Sequence, residues 1–474
     1  MTDAYFDKYI PLYKTASASI GIEEVKSHGH FIPTQSGIAL DMPDPIIAMQ
    51  DYTSKFTNAS AGYVNIINED ETIALAPGSS VEFRCERIEN ASPWACSWIA
   101  IGLENPPKWV DGVDDLTPTY TTATPVHSSE VYRYLVEEGV LHVEIDYAGL
   151  DGGGATALTV PLPFIPQDLD VMVPLTANVT IGTGTPTNIL AYVDVTNATA
   201  ETRATIAFRN FQTLTDDSAW RIRITGAIPL WGCNTFTSTP AWTGSPTVTS
   251  TTGIYKVVNG TCYGWIYSIE SDGKGASTAT FTLPTQINDV DQLIACEAIE
   301  LVDATYSNPV CYIEAANATC ANRLISFASL STLTDGKGCS IAVSFKYNLH
   351  NDLVHTVTEA WDTAPASYTS VFRYAVIGRK CIWAYYGTSA DGNGASTLSI
   401  PIPVVPSYIA TLRVAAASIQ LVDTTYSCPA CYIDAGQSTA AGRALLRFEN
   451  LSACTDAKTA TLMASGEFEI AAAA

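Results

Sequence analysis

The chain has 474 residues, with 48 acidic against 24 basic side chains and a net charge of −24. Such a surface repels nucleic-acid phosphates, which proteins grip with Lys and Arg, and this argues against packaging or threading a genome. Charged residues make up only 15% and hydrophobic ones 47%, which argues against disorder. The 31 Gly and 25 Pro punctuate short apolar runs, the texture of an all-β chain with many turns.

In chain order, residues 1–60 read as an arm with little core of its own. The opening MTDAYFDKYIPLYK has neither the basic start nor the apolar centre of a signal peptide. No run approaches the ~18 apolar residues of a membrane span, so no membrane insertion is expected. Asp44-Pro45 has the form of an N-cap followed by proline at the first turn, and predicts a short helix ending near Phe56. His28-Gly29-His30 could hold a metal between two imidazoles, but no further ligand is near in sequence, so a surface or interface role is expected. From Tyr63 the pattern turns β, and residues 61–108 read as a smaller β unit. Cys85 and Cys96 could face each other across a hairpin there, which the sequence leaves open.

The rest of the chain says one thing three times. DGGGATALTVPLP starts at Asp151, DGKGASTATFTLP at Asp272 and DGNGASTLSIPIP at Asp391. A spacing of roughly 120 residues is the commonest domain size, so whole domains were copied: 109–232, 233–352 and 353–474. Asp-Gly-x-Gly supplies residues that tolerate positive φ, so Asp151, Asp272 and Asp391 are assigned to hairpin turns. Side chains then alternate: Leu158, Val160 and Leu162 face one way, as do Ala279, Phe281 and Leu283, and Leu398, Ile400 and Ile402. Pro161 and Pro401 on the opposite face remove a ladder donor, so this strand should lie at a sheet edge or be paired on one side there.

Upstream of each phrase lies VYRYLV, IYKVV or VFRYAV, followed by Gly139, Gly260 or Gly378 and another strand. The local unit reads as a meander of three strands. Downstream, AYVDV, CYIEA and CYIDA correspond, then Arg203, Arg323 and Arg443, then Phe208, Phe327 and Phe448. Each copy opens with Trp and then Pro: Trp109 and Pro118, Trp242 and Pro246, Trp361 and Pro365. Seven or eight short strands per copy close most naturally as a two-sheet antiparallel sandwich of jelly-roll type. The fold expected is three tandem sandwiches after an arm and a small β unit.

Chemistry is sparse. Asp-Gly-x-Gly offers one carboxylate, too few for a Ca²⁺ cage. Asp194, Glu314 and Asp434 recur near an Arg, but glycosidase chemistry needs two carboxylates and each copy has one, so a structural acid–Arg contact or a solvated strand face is expected. Cys428-x-x-Cys431 has redox spacing without a βαβ context. Cys311 and Cys431 correspond, but Cys262, Cys320, Cys339 and Cys381 find no clear counterparts. A disulfide framework copied by duplication would have kept its register, so mostly buried thiols are expected. No metal, cofactor or catalytic residue is assigned. Exposed aromatics are the best contact candidates: Trp383 and Tyr385 on one face of a strand and Tyr386 on the other, one face looking outward, with burial in the core as the other reading for each ring.

The pieces Trp361, Phe372-Arg373-Tyr374, Gly378, Asp391 to Gly394, Ile402-Pro403 and Ser465 to Ile470 resemble the β-sandwich repeats of bacteriophage tail fibres and related virion appendages. The resemblance spans the three copies and leaves residues 1–108 unmatched. It implies a virion surface protein made in the host cytoplasm, often trimeric, docking through its N-terminal part (His28, His30 and Phe31 in the arm) to other virion proteins. The outward domains would then meet a host surface glycan or protein. A tail or head fibre ranks above a capsid decoration (cement) protein. A carbohydrate-binding cell-surface adhesin and a depolymerase enzyme are the readings from other classes.

Overall fold

The computed structural model describes residues 11–469, except 28–29, 36, 44–51, 60–62, 69–70, 76–78, 88–95, 105–108, 114–115, 197–198, 239, 286–292, 315–323, 332–335, 350–352, 366, 378–379, 404–412, 435–444, 450 and 452–457. The described chain is almost entirely β, with two short helices, Ile22–Ser27 and Ala200–Arg203. None is long and apolar enough to cross a membrane. The chain divides into two compact units. One holds residues 1–112 and 134–139, the other 113–133 and 140–474.

The first unit is a short coil of parallel strands rather than an arm beside a small β unit. The chain alternates between two sheets. Pro11–Lys14, His30–Pro33 and Thr53–Thr57 lie parallel in one, and Ala18–Ser19, Ala39–Asp41 and Val64–Asn68 lie parallel in the other. Antiparallel strands extend both sheets: Ser80–Arg87 and Cys96–Glu104 the first, Glu71–Leu75 the second. Register stacks like on like from coil to coil. Leu12 sits beside Phe31 and Phe31 beside Phe56; Ala18 sits beside Leu40 and Leu40 beside Ile66. Phe31 and Phe56 stack at 5.2 Å in a shared core with Val25, Val81 and Trp98.

This corrects three expectations. Residues 1–60 supply half of that core. Phe31, assigned to docking, is wholly buried. Thr53–Thr57 is a strand with Ser54 and Phe56 facing in, where the end of a helix was expected; residues 44–51 lie outside the described ones. The helix that does form, Ile22–Ser27, occupies the first crossover, where the Glu24 carboxylate accepts from the Gly21 N–H, the reciprocal half of a capping box.

In the second unit each copy repeats one pairing scheme. In the third, Thr369–Ile377 and Lys380–Ser389 form a hairpin, followed in the sheet by Ala460–Glu469 and Arg413–Val422. Arg413–Val422 then changes partners. Its first half pairs with Ala430–Asp434 in the opposite sheet, which continues through Leu445–Glu449, Leu398–Pro401 and Ala360–Trp361. The first copy has the same order, and the second splits the shared strand into Leu293–Ala295 and Glu297–Val302. These are antiparallel, jelly-roll-like sandwiches. Their inward residues are those the alternation picked out: Leu398, Ile400 and Ile402 in the third copy, Ala279 and Phe281 in the second.

The repeated phrase is not a hairpin. After Asp151 the chain leaves one sheet for the far side of the other, where Ala157–Pro161 pairs with Thr119–Thr121 and Thr205–Arg209. The meander expected from spacing is therefore a hairpin plus a crossing. Pairing decides between the two readings of proline: the strand is not at a sheet edge, but Pro161 faces Thr205 on one side, while Thr119–Thr121 on the other reaches only Ala157, Leu158 and Thr159. Structural equivalence shifts one aromatic. Trp242 and Trp361 sit opposite Ala279 and Leu398, and the residue opposite Leu158 is Tyr120, not Trp109, which belongs to the first unit.

Because the three sandwiches form one compact unit, they should melt together. Differential scanning calorimetry is expected to show at most two transitions, one per unit. A separate transition for each sandwich would contradict this.

Candidate functional site

The Asp-Gly-x-Gly turns are corner latches. Asp151 Oδ1 accepts from the Gly153 and Asp217 amides at 2.8 and 3.0 Å. Asp272 Oδ1 accepts from Lys274 and Gly336 at 3.1 and 2.9 Å, and Asp391 Oδ1 from Asn393 at 3.1 Å. The third and fourth positions carry positive φ, for instance 43° at Lys274 and 71° at Gly275, which explains the terminal glycine. Asp216 and Asp217 lie close to Asp151, but Asp151 is already engaged by backbone donors, so the trio acts as a turn.

The aromatic contact candidates are placed otherwise. Trp383 and Tyr385 are buried in their own sandwich core, Trp383 stacked on Phe372 at 5.5 Å and Tyr385 sharing a 2.5 Å hydrogen bond with Tyr368. Tyr386 is half-buried and packs into a cluster shared by the second and third copies. This strand is covered on both faces, so neither is free to meet a partner. His30 bonds Thr57 at 3.1 Å within the first unit; His28 lies outside the described residues. Arg203 donates to the Pro166 carbonyl, Asp194 accepts from Thr196, and Asp434 pairs with Arg447. Arg323 and Arg443 lie outside the described residues. Cys85 sits opposite Trp98, and Cys96 opposite Arg87. Nine described cysteines are free thiols, seven of them buried. Burial pushes the Cys428 thiol up to about 11, which suits packing rather than redox exchange.

What the structure does bring together is the three copies. Thr225 of the first donates to the Ala415 carbonyl of the third at 2.7 Å. Ser344 of the second donates to Pro174 of the first at 2.9 Å. Ser465 of the third donates to Ala295 of the second at 2.7 Å. The three donors are equivalent, and so are the three acceptors, which lie opposite Tyr192, Tyr312 and Tyr432. The relation runs first to third, third to second, second to first, and closes a pseudo-threefold ring.

Two of the seams are apolar. Met172, Leu190 and Tyr192 pack against Ile299, Ala342 and Tyr306, with Tyr192 and Tyr306 stacked at 6.1 Å. Ala295, Val310 and Tyr312 pack against Ala417, Ile419, Met463 and Tyr426, with Tyr312 and Tyr426 stacked at 6.4 Å. The seam closing the ring is polar. Pro186 replaces the stacking tyrosine, and Arg223, where the others have Ala342 and Met463, lies over the Tyr432 ring at 4.5 Å while bonding Asn178.

Around the axis the three copies tie an ionic knot. His142 is wholly buried, its Nδ1 2.6 Å from Glu467 Oε1 and its Nε2 3.3 Å from Lys380 Nζ. Tyr263 donates to Glu467 Oε2 at 3.1 Å and accepts from Lys380 at 3.0 Å. Lys346 lies 4.0 Å from Glu467 Oε2. Arg133 pairs with Glu469 and lies 4.0 Å from Glu144. Burial alone would raise the Glu467 carboxyl, but the charge of Lys346, the hydrogen bond to His142 and the charge of Lys380 hold it well below the usual carboxylate range. Glu297, bonded by Thr176, is shifted the other way by burial. It lines a cavity of about 40 Å³ between the copies, which Asn188, Asn308 and Cys428 also line.

No protein-family model matches the chain, and no curated protein does. Two solved chains are similar at a distance. One comes from work on the triple jelly roll fold and turret assembly in an archaeal virus; it is 10% identical, with 82% of this chain and 90% of that one covered and a TM-score of 0.12. The other comes from the atomic structure of Sulfolobus turreted icosahedral virus, also 10% identical, with 82% and 91% covered and a TM-score of 0.12. Both are too distant to set the fold, which rests on the strand pairing above.

Two substitutions test this geometry. Ser465→Ala leaves the Ala295 carbonyl without that donor at the seam and should cost about 1–3 kcal/mol in denaturant unfolding; no change would mean the seam hydroxyls are idle. Burial pushes the Glu270 carboxyl up to about 7, despite donors at Ser268 and Cys339. An acid with a raised folded pKa gains stability as pH falls through that value and loses it above. Glu270→Gln should therefore raise Tm at pH 8 and leave it nearly unchanged at pH 5.

Proposed function

We propose that the chain is a virion structural protein, a compact appendage of spike, fibre-head or decoration type that works by surface complementarity. The observation that supports this best is what triplication preserved. Turn latches, core alternation and seam hydroxyls recur in all three copies, while no described acid, histidine or thiol set recurs as a reactive group. Copied chemistry would have repeated its reactive residues; copied scaffolding repeats its joints. The three sandwiches close on one another instead of stringing out, which favours a compact head over an extended fibre.

In this reading the first unit, with its separate core, docks to other virion proteins, and the sandwich unit meets a host glycan or protein. The ring within one chain also takes over the role first expected of three chains. A threefold arrangement needs no second copy, so light scattering should give a mass near 50.6 kDa. A stable trimer at micromolar concentration would restore the homotrimer. Localisation decides the function: a tag on this chain should be found on intact particles, and its absence from them would overturn the virion reading.

A further inference from the structure

The contacts of the ionic knot accommodate a protonation pattern in which each is satisfied. Lys380 Nζ carries only donors, and it points at both His142 Nε2 and the Tyr263 hydroxyl. A neutral imidazole with its proton on Nδ1 satisfies both contacts: Nε2 offers its lone pair to Lys380, and Nδ1 donates to Glu467. Tyr263 accepts from Lys380 and passes its own proton to the other Glu467 oxygen. Every polar atom in this circuit is used, and it joins a residue of the first copy to one of the second and two of the third.

We propose that this knot makes the union of the three sandwiches acid-sensitive: it holds while His142 is neutral and loosens when His142 takes a second proton. Protonation turns Nε2 into a donor facing an ammonium group 3.3 Å away, inside a site closed to water. Two cations then compete for Glu467. The groups facing His142 or one step from it are Tyr263, Lys346 and Glu297 of the second copy, Lys380, Glu467 and Glu469 of the third, and Arg133 and Glu144 of its own. Glu467 attracts the incoming proton; Lys380 and the loss of its acceptor oppose it. Because the knot uses the neutral ring, the unfolded chain binds that proton more readily, and stability falls as pH drops through the imidazole range near 6.5. Carboxylates alone would lose their hold only at lower pH.

The test is Tm against pH from 7.5 to 5.5, in the Glu270→Gln background so that Glu270 is silent. His142→Gln keeps an amide donor toward Glu467 and a carbonyl acceptor toward Lys380, and cannot titrate. The parent should lose roughly 2–4 °C more than His142→Gln over this range. Equal slopes would overturn the proposal. If His142→Gln does not fold, Lys380→Met serves: it removes the cation opposing the second proton, so its stability should hold or rise on acidification. A parent-like fall in that variant would also overturn it. Hydrogen exchange should show the acid effect first in Trp220–Pro229, Cys339–Asn348 and Ala460–Glu469, the strands that carry the seam hydroxyls.

Discussion

The sandwich unit depends on how one strand per copy changes sheets. Where it swaps ladders, at Leu175/Thr176, Cys296 and Ala416/Ala417, regular pairing breaks. A buried carbonyl beside that break must find a donor, since leaving it bare would cost as much as a lost hydrogen bond. The donor comes from another copy in each case. Each copy thus lends a hydroxyl to one neighbour and takes one from the other, which ties the ring together.

Closure sets the character of the seams. Two of them bury stacked tyrosines and aliphatic side chains, so they gain from apolar burial. The third buries a guanidinium over a tyrosine ring, a contact of modest strength whose desolvation cost is offset by Asn178 and Tyr432. Drift in the first copy explains the difference: IGTGTPT stands where the others have LVDATYS and LVDTTYS, so the tyrosine needed for a third stack is gone.

Much of this could be read from the residues. Period-two alternation located the inward faces, Asp-Gly-x-Gly located the corners, and proline located the point where its strand is paired on one side only. Which strands pair was harder, because spacing fixes a turn but not the sheet into which the chain turns. The misplaced aromatics had a visible signal. CIWAYY is an unbroken apolar run, the mark of a strand covered on both faces, and only a half-exposed strand shows one face to solvent. In the first unit Leu12, Phe31 and Phe56 recur at uneven intervals because the crossovers differ in length, so no fixed period announced the parallel coil. The seams were beyond sequence reading, since a serine that bonds a distant carbonyl looks like any other serine in a strand.

The axis constrains which residues can meet there. His142, Tyr263 and Ile382 occupy matching places, as do Ala227, Lys346 and Glu467 opposite them. Three identical subunits would have to present the same residue three times at that point, and three glutamates or three lysines converging there would repel one another. Fusing the copies into one polypeptide frees each position to evolve alone, so a single acid can meet a single histidine and two lysines where strict rotational symmetry would forbid it.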